Sequence, residues 1–250
     1  MARLLITIIL LTALPFTAFS KNIYDLEKYL QGYDKTYFIY VDKKANKLYL
    51  MDKNLKVWRK YPVSTGMKKG EKIYVDDFKT PAGVYHIKEI WQYDEPWYIP
   101  MFRERLNYLP AGSSERKSYE QYYVKLEKKH KKARKKIAEL NSTYLSAKDG
   151  HVRYGTGKSL GYNSYGPVYM LLDYPNKDDV NRYEDALDDG KVPRNFSLYF
   201  ADPGNGIAIH GTNDNNSLGF NASAGCVRMR NDHIIELSRY VMEGTLVIID

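Results

Sequence analysis

Residues 36–63 read TYFIYVDKKANKLYLMDKNLKVWRKYPV. Within this stretch YFIYVD, KLYLMD and the run opening at KVWRKYPV alternate side-chain character with a period near two, which suits the two faces of a strand and no face of a helix. Lys43-Lys44-Ala45-Asn46 and Asp52-Lys53-Asn54 interrupt the alternation with turn-forming residues. The segment is therefore read as a meander of three strands joined by hairpins. A fourth strand is expected at 84–88, after the turn Thr80-Pro81-Ala82-Gly83. The front half of the chain is β-rich.

Further along, the period changes. Tyr119, Tyr122, Leu126, His130, Ala133, Ile137 and Leu140 recur at spacings of three and four, one apolar stripe on a long helix over about 114–140. Its other face is basic: residues 115–139 hold ten Lys/Arg and four Glu, a local balance of +6. Beyond it come Gly/Ser/Asn/Tyr-rich loops at 149–166, a strand at 168–172, an acidic stretch at 173–189 and a strand at 206–210. A loop to Cys226, a helix at 232–241 capped by Asn231 or Asp232, and a strand at 245–249 complete the chain.

The 250 residues suffice for a core without covalent staples. A single Cys forms no intramolecular disulfide, and five scattered His show no metal-ligand spacing, so neither metal nor organic cofactor is expected. Residues 1–20, MARLLITIILLTALPFTAFS, carry one cation, an apolar run too short to span a bilayer and small residues at Ala18 and Ser20. They are expected to be a cleaved signal peptide, leaving residues 21–250 as an exported, non-spanning domain of the periplasm or cell envelope. The formal charge of +8 first suggests an anionic partner. Export argues against nucleic acid. Arg3 leaves with the signal and +6 belongs to the helix, so the remainder is nearly neutral. The basic face is either a solvated surface or a hold on anionic wall polymer, lipid or an acidic partner.

Chemistry concentrates in Ile209-His210-Gly211-Thr212, Ser217-Leu218-Gly219 and Ser223-Ala224-Gly225-Cys226-Val227-Arg228-Met229. A lone Cys among Gly and Ser, after a strand ending in His, has the parts of an activated thiol. The thiol is mostly protonated at neutral pH, and His210 is the candidate base. The Gly211 carbonyl can hold its tautomer without a third acidic side chain. Gly225 lets backbone approach a substrate, so the amides at 225 and 226 are candidate oxyanion donors. Taken singly, Cys226 as a small buried hydrophobe and His210 as a satisfied strand-end histidine are the commoner roles.

Together these residues resemble the catalytic domain of the L,D-transpeptidases, the YkuD family of cell-wall enzymes. The likeness continues in 232–237 and Glu243-Gly244-Thr245-Leu246-Val247-Ile248, and upstream in Leu48-Tyr49-Leu50, Tyr61-Pro62-Val63-Ser64-Thr65-Gly66 and Lys79-Thr80-Pro81-Ala82-Gly83-Val84-Tyr85. It covers roughly 36–100 and 160–250. Two departures stand out: Ala224, where many members carry a second His, and the basic helix with its flanks at about 101–160, which the compact family domain lacks.

The resemblance implies a mostly β fold, a bent sheet or sandwich with a short helix after the catalytic loop and an inserted basic amphipathic helix. It also implies that Cys226 attacks the diaminopimelate–D-Ala bond of a tetrapeptide stem, forms a thioester and passes the acyl group to an amine, with stem peptides as donor and acceptor. His210 and Gly211 join Cys226 as catalytic residues. Gly225, Ser223, Arg228 and Thr212 are expected on the oxyanion and substrate side, Ser223 chiefly as a loop hydrogen-bonder and Arg228 either pairing a substrate carboxylate or bracing the loop. An L,D-carboxypeptidase, in which water resolves the thioester, and a non-catalytic wall-binding module are the other readings.

Overall fold

The structure is a computed structural model describing residues 23–143, 164–194 and 198–250. The expected signal peptide and most of the loop expected at 149–166 lie outside the described residues. The described residues fall into two compact units, one up to residue 35 and one from residue 36 on. The first contains helix α1, Ile23–Leu30. All that follows belongs to the second.

The meander forms as β1 (Tyr37–Asp42), β2 (Lys47–Asp52) and β3 (Val57–Gly66), each antiparallel to the next. The later strands are β4 (Gly83–Gln92), β5 (Val168–Leu172), β6 (Ala208–Gly211), β7 (Asn221–Ser223), β8 (Val227–Met229) and β9 (Leu246–Ile249). Their order is β2-β1-β9-β4-β5-β6-β8-β3-β7, and β2 also pairs β3. The bent sheet implied by the sequence thus bends until it closes, which removes exposed edges from the ring. The interior holds Ile39, Leu50, Tyr85, Met170, Ile209 and Val247, each fully buried. Every such side chain contributes about 1.5–3 kcal/mol by leaving water.

Four helices accompany this ring in the same unit among the described residues. The apolar stripe predicts a helix at 114–140, and α3 spans Ser114–Thr143. The alternation-based reading leaves two others unpredicted. Helix α2 (Tyr98–Tyr108) carries Pro100 in its first turn, where a missing N–H costs nothing. Helix α4 (Lys177–Asp188) arises inside the acidic stretch because Asn176 and Asp179 form a reciprocal capping box, with Asp178 and Asp179 at the positive end of the helix dipole. Helix α5 (Asn231–Leu237) is shorter than expected and buries Ile234 and Leu237. Its cap also differs: Arg230 takes the N-cap position without a side-chain bond, while Asn231 Oδ1 accepts the Thr212 N–H instead. Among the described residues no helix is long and apolar enough to cross a membrane.

Candidate active site

Strands β5, β6 and β8 run side by side, β5 antiparallel and β8 parallel to β6. Residues opposed across such pairs share a face, as do alternate residues along a strand. Tyr169 opposes His210, Leu171 opposes Ala208, and Arg228 sits beside His210. Cys226, two residues before Arg228, falls in line with Ala208 and packs with Ala208 and Tyr169. His210, Cys226 and Arg228 therefore look out from one face. Ile209, Val227 and Met229 point the other way into the core.

His210 is 3% exposed, and its Nδ1 lies 2.6 Å from the Gly211 carbonyl oxygen. Its ring packs with two tyrosines, Tyr165 at 4.8 Å and Tyr169 at 5.6 Å between centroids, which also contact each other at 5.6 Å. Burial, helped by the neighbouring Arg228 charge, lowers its pKa to about 3 against the upward pull of the Gly211 and Tyr165 backbone. The imidazole is neutral in the native protein. Gly211 is required here by close packing as well, since a Cβ would meet Asn231 Oδ1 at 2.4 Å.

Cys226 is half-buried, and its Sγ lies 3.6 Å from the Gly206 carbonyl. Burial pushes its thiol up, while the Ala208 backbone N–H and the charges of Arg228 and Lys72 act in the opposite direction. Burial thus disfavours ionisation of both groups. Arg228 favours the thiolate and opposes the imidazolium.

The loop that presents the thiol is fixed from two sides. Ser223, 1% exposed, donates from Oγ to the Cys226 carbonyl, and Oγ accepts the Gly225 N–H at 3.1 Å. The Gly225 carbonyl accepts the Thr80 hydroxyl at 2.7 Å, and Thr80 Oγ1 in turn accepts the Gly66 N–H at 2.8 Å. Gly225 has φ +144°, and a Cβ there would press on the Lys79 carbonyl at 2.9 Å, so glycine is needed for both reasons. The Gly225 N–H is engaged within the loop, which removes one of the two amides expected to face a substrate oxygen. Arg228 Nη1 donates to the Ala222 carbonyl at 3.3 Å, a brace on the same loop. Thr212 is 1% exposed and its hydroxyl accepts the Asp214 N–H at 3.0 Å. It holds a turn rather than lining open space.

Several contributors leave no mark in the motif. Lys72 is buried and paired with Asp77 at 2.9 Å, and Asp77 also accepts the Ile73 and Lys79 N–H groups. That pair shapes the loop whose lysine acts on the thiol. Tyr165 and Tyr169 reach His210, and Asn141 reaches Tyr165, through tertiary packing across separations in sequence that no local pattern encodes. His86 bonds Asp173 on the surface, and His130 and His233 lie apart from the thiol and line no common site with it. His151 is outside the described residues. Among the described residues no group of three or more His, Cys, Asp or Glu stands close enough to hold a metal ion.

Solved structures similar to this chain include a Bdellovibrio bacteriovorus protein, Bd1075 (20% identity, 86% of this chain and 48% of that one, TM-score 0.44). Others are the helical cell shape determining protein Pgp2 of Campylobacter jejuni (15%, 90% and 53%, 0.41) and an L,D-transpeptidase of Mycobacterium smegmatis (14%, 86% and 58%, 0.37). The chain spans about half the length of these proteins. No curated protein matches it. The profile of the L,D-transpeptidase catalytic domain, YkuD, matches residues 36–249, taking in the closed sheet and both strands of the His210–Cys226 face. The chain belongs to the YkuD family of L,D-transpeptidase catalytic domains.

Proposed function

We propose that the protein is an exported peptidoglycan L,D-transpeptidase with Cys226 as nucleophile and His210 as base. The observation that carries this reading is the placement of both side chains on one face of neighbouring strands, with His210 Nδ1 tied to the Gly211 carbonyl. With Nδ1–H donated there, Nε2 holds the lone pair that accepts the thiol proton. Because burial holds both groups neutral, the proton moves as attack begins rather than in the resting enzyme.

Sγ then bonds to the carbonyl carbon of the diaminopimelate–D-Ala amide. His210 returns its proton to the departing D-Ala nitrogen, and a thioester remains. An amine on a second stem or another partner displaces the thiol, and His210 takes the amine proton. The Cys226 N–H is the loop amide assigned to the oxyanion, and Arg228 steadies the loop and the thiolate. No metal or organic cofactor enters these steps.

Residues 1–20, read as an export signal, support a location in the cell envelope. We assign the outer face of α3 to anionic wall polymer or an acidic partner. Lys129 and Lys136 turn inward to Glu243 and Glu89, whereas Lys117, Lys125, Lys128, Lys131 and Lys132 are exposed and make no ion pair among the described residues.

One observation favours hydrolysis as a second reading. Ile137 and Leu140 of α3 pack in the same cluster as Cys226 and Tyr169, so the arm narrows the approach a second stem would use. Incubating the mature protein with disaccharide tetrapeptides and analysing products by mass spectrometry separates the two. Cross-linked dimer supports transfer, tripeptide alone supports an L,D-carboxypeptidase, and unchanged substrate rejects both.

A further inference from the structure

Helix α3 reaches the active face at its C-terminal end. Asn141 there is 1% exposed, and its amide is fully used. Nδ2 donates to the Gly166 carbonyl at 2.9 Å and to the Tyr93 hydroxyl at 3.1 Å, and Oδ1 accepts the Tyr165 N–H at 2.9 Å. The side chain thus grips the Tyr165–Gly166 dipeptide at both its N–H and its C=O, as a neighbouring strand would. Tyr165 carries the ring that packs on His210 at 4.8 Å. Tyr169, in edge contact with the Tyr165 ring, stacks on the imidazole at 23°, and Trp91 stacks on Tyr169 at 5.1 Å. Lys136, also on α3, sits 4.7 Å from the Trp91 ring centroid and 2.6 Å from Glu89, which accepts the Trp91 Nε1–H. The helix supports the aromatic cluster that packs on the base.

We propose that Asn141 is a positioning residue for His210: by clamping the Tyr165–Gly166 segment it holds the Tyr165 ring against the imidazole, fixes its rotation and keeps water from it. The inserted helix is then a working part of the acyl-transfer site. This inference rests on the reading of Cys226 and His210 as nucleophile and base. Preorganisation of this kind acts on rate without the residue touching substrate. The charged group facing His210 is Arg228 from β8. The Tyr165 and Tyr169 rings pack on it, and α3 contributes an uncharged amide, since Lys136 is held by Glu89. Loss of Asn141 therefore alters the imidazole by hydration and not by removing a charge.

The test is the rate of Cys226 acylation by a carbapenem across pH, read by intact mass in the wild-type protein and in Asn141→Ala, with thermal unfolding followed in parallel. Acylation in Asn141→Ala slows at least about ten-fold, and its acid limb moves up by about one pH unit or more as water reaches His210. A purely structural role lowers the melting temperature and leaves that limb in place. A folded Asn141→Ala protein with wild-type rate and an unmoved limb overturns the proposal. If that variant does not fold, Asn141→Asp, which keeps the acceptor for Tyr165 and loses both donors, is read for rate, and a wild-type rate overturns it equally. Wild-type protein left unmodified, or modified away from Cys226, rejects the nucleophile reading and the positioning role with it, before any variant is compared.

Discussion

The strand pair β6 and β8 and the helical arm of α2 and α3 meet beside His210, yet they are built by opposite rules. Every residue of β6 is buried, and β8 buries both residues that flank Arg228. Helix α3 has no buried side chain before Ile137, so most of its thirty residues are held by partly buried packing on α2 and β4 and by solvent-exposed ion pairs. In the strands, catalysis and folding depend on the same atoms. Along the arm they separate, except at its last turns, where Lys136, Ile137, Leu140 and Asn141 touch the active face.

The largest effect expected from this contrast is at the thiol. Cys226→Ala abolishes both product formation and carbapenem adduct formation in a protein that still folds, because the half-buried thiol fills little core. Full activity in this variant rejects the nucleophile assignment. His210→Gln slows acylation by about 10²–10⁴-fold. Next in size is Asp77→Ala, a test of whether buried polar supports behave like the strands. It strands the Lys72 charge at 5% exposure and frees four donors, the Lys72 ammonium and the Ile73, Tyr74 and Lys79 N–H groups, for a loss of about 3–5 kcal/mol in denaturant unfolding. A loss near that of an ordinary surface pair contradicts the role given to this ion pair.

The two regions also differ in how far the sequence reveals them. Strand alternation from Tyr37 to Val63 announces the meander, and the crowding of His210, Gly211, Gly225 and Cys226 into a few turns of chain announces the site, because each constraint there is local. The requirement for glycine at 225 comes from the Lys79 carbonyl and a positive φ, and the turn that directly follows Lys79 is itself visible as Thr80-Pro81-Ala82-Gly83. The closure of the sheet is not visible, since it depends on strands far apart in sequence pairing with the two ends of the meander, β9 with β1 and β8 with β3. Helix α4 escapes because its apolar positions, Val180, Tyr183, Ala186 and Leu187, are few and set among acidic residues, and its start is organised by its cap. Asn141 and Lys72 escape for a related reason: their roles consist of contacts with chain segments brought near by folding.

A smaller effect sharpens the contrast through pH. Burial holds His210 at about 3, well below the ordinary value near 6.5. Between those values the unfolded chain binds a proton that the native protein does not. The stabilisation is complete above about pH 6.5 and is lost as pH falls toward 3, by up to about 1.4 kcal/mol per pH unit. Carboxylates such as Glu89 and Asp232, held low by Lys136 and Arg230, add their own acid sensitivity. His210→Gln isolates the imidazole contribution: its melting temperature declines less steeply than that of the wild type between pH 6.5 and 4. Equal slopes contradict a buried neutral His210.

The smallest effect on folding is expected on the outer face of α3, where Lys117, Lys128 and Lys131 recur along one exposed ridge. Reversing all three to Glu changes stability by no more than about 0.5 kcal/mol, since exposed substitutions away from buried partners rarely do more. Glu at 131 gains Lys135 one turn ahead and meets Glu127 one turn behind, so the local terms nearly cancel. Cys226 acylation by a carbapenem stays at the wild-type rate, because these lysines lie on the side of α3 away from Ile137 and Asn141. Retention on isolated sacculi changes instead. The wild type is released as salt shortens the screening length to about 10 Å at 0.1 M, and the reversed ridge is retained weakly even at low salt. Equal, salt-independent retention of both proteins makes the ridge a solvated surface, and the arm then serves the active face alone.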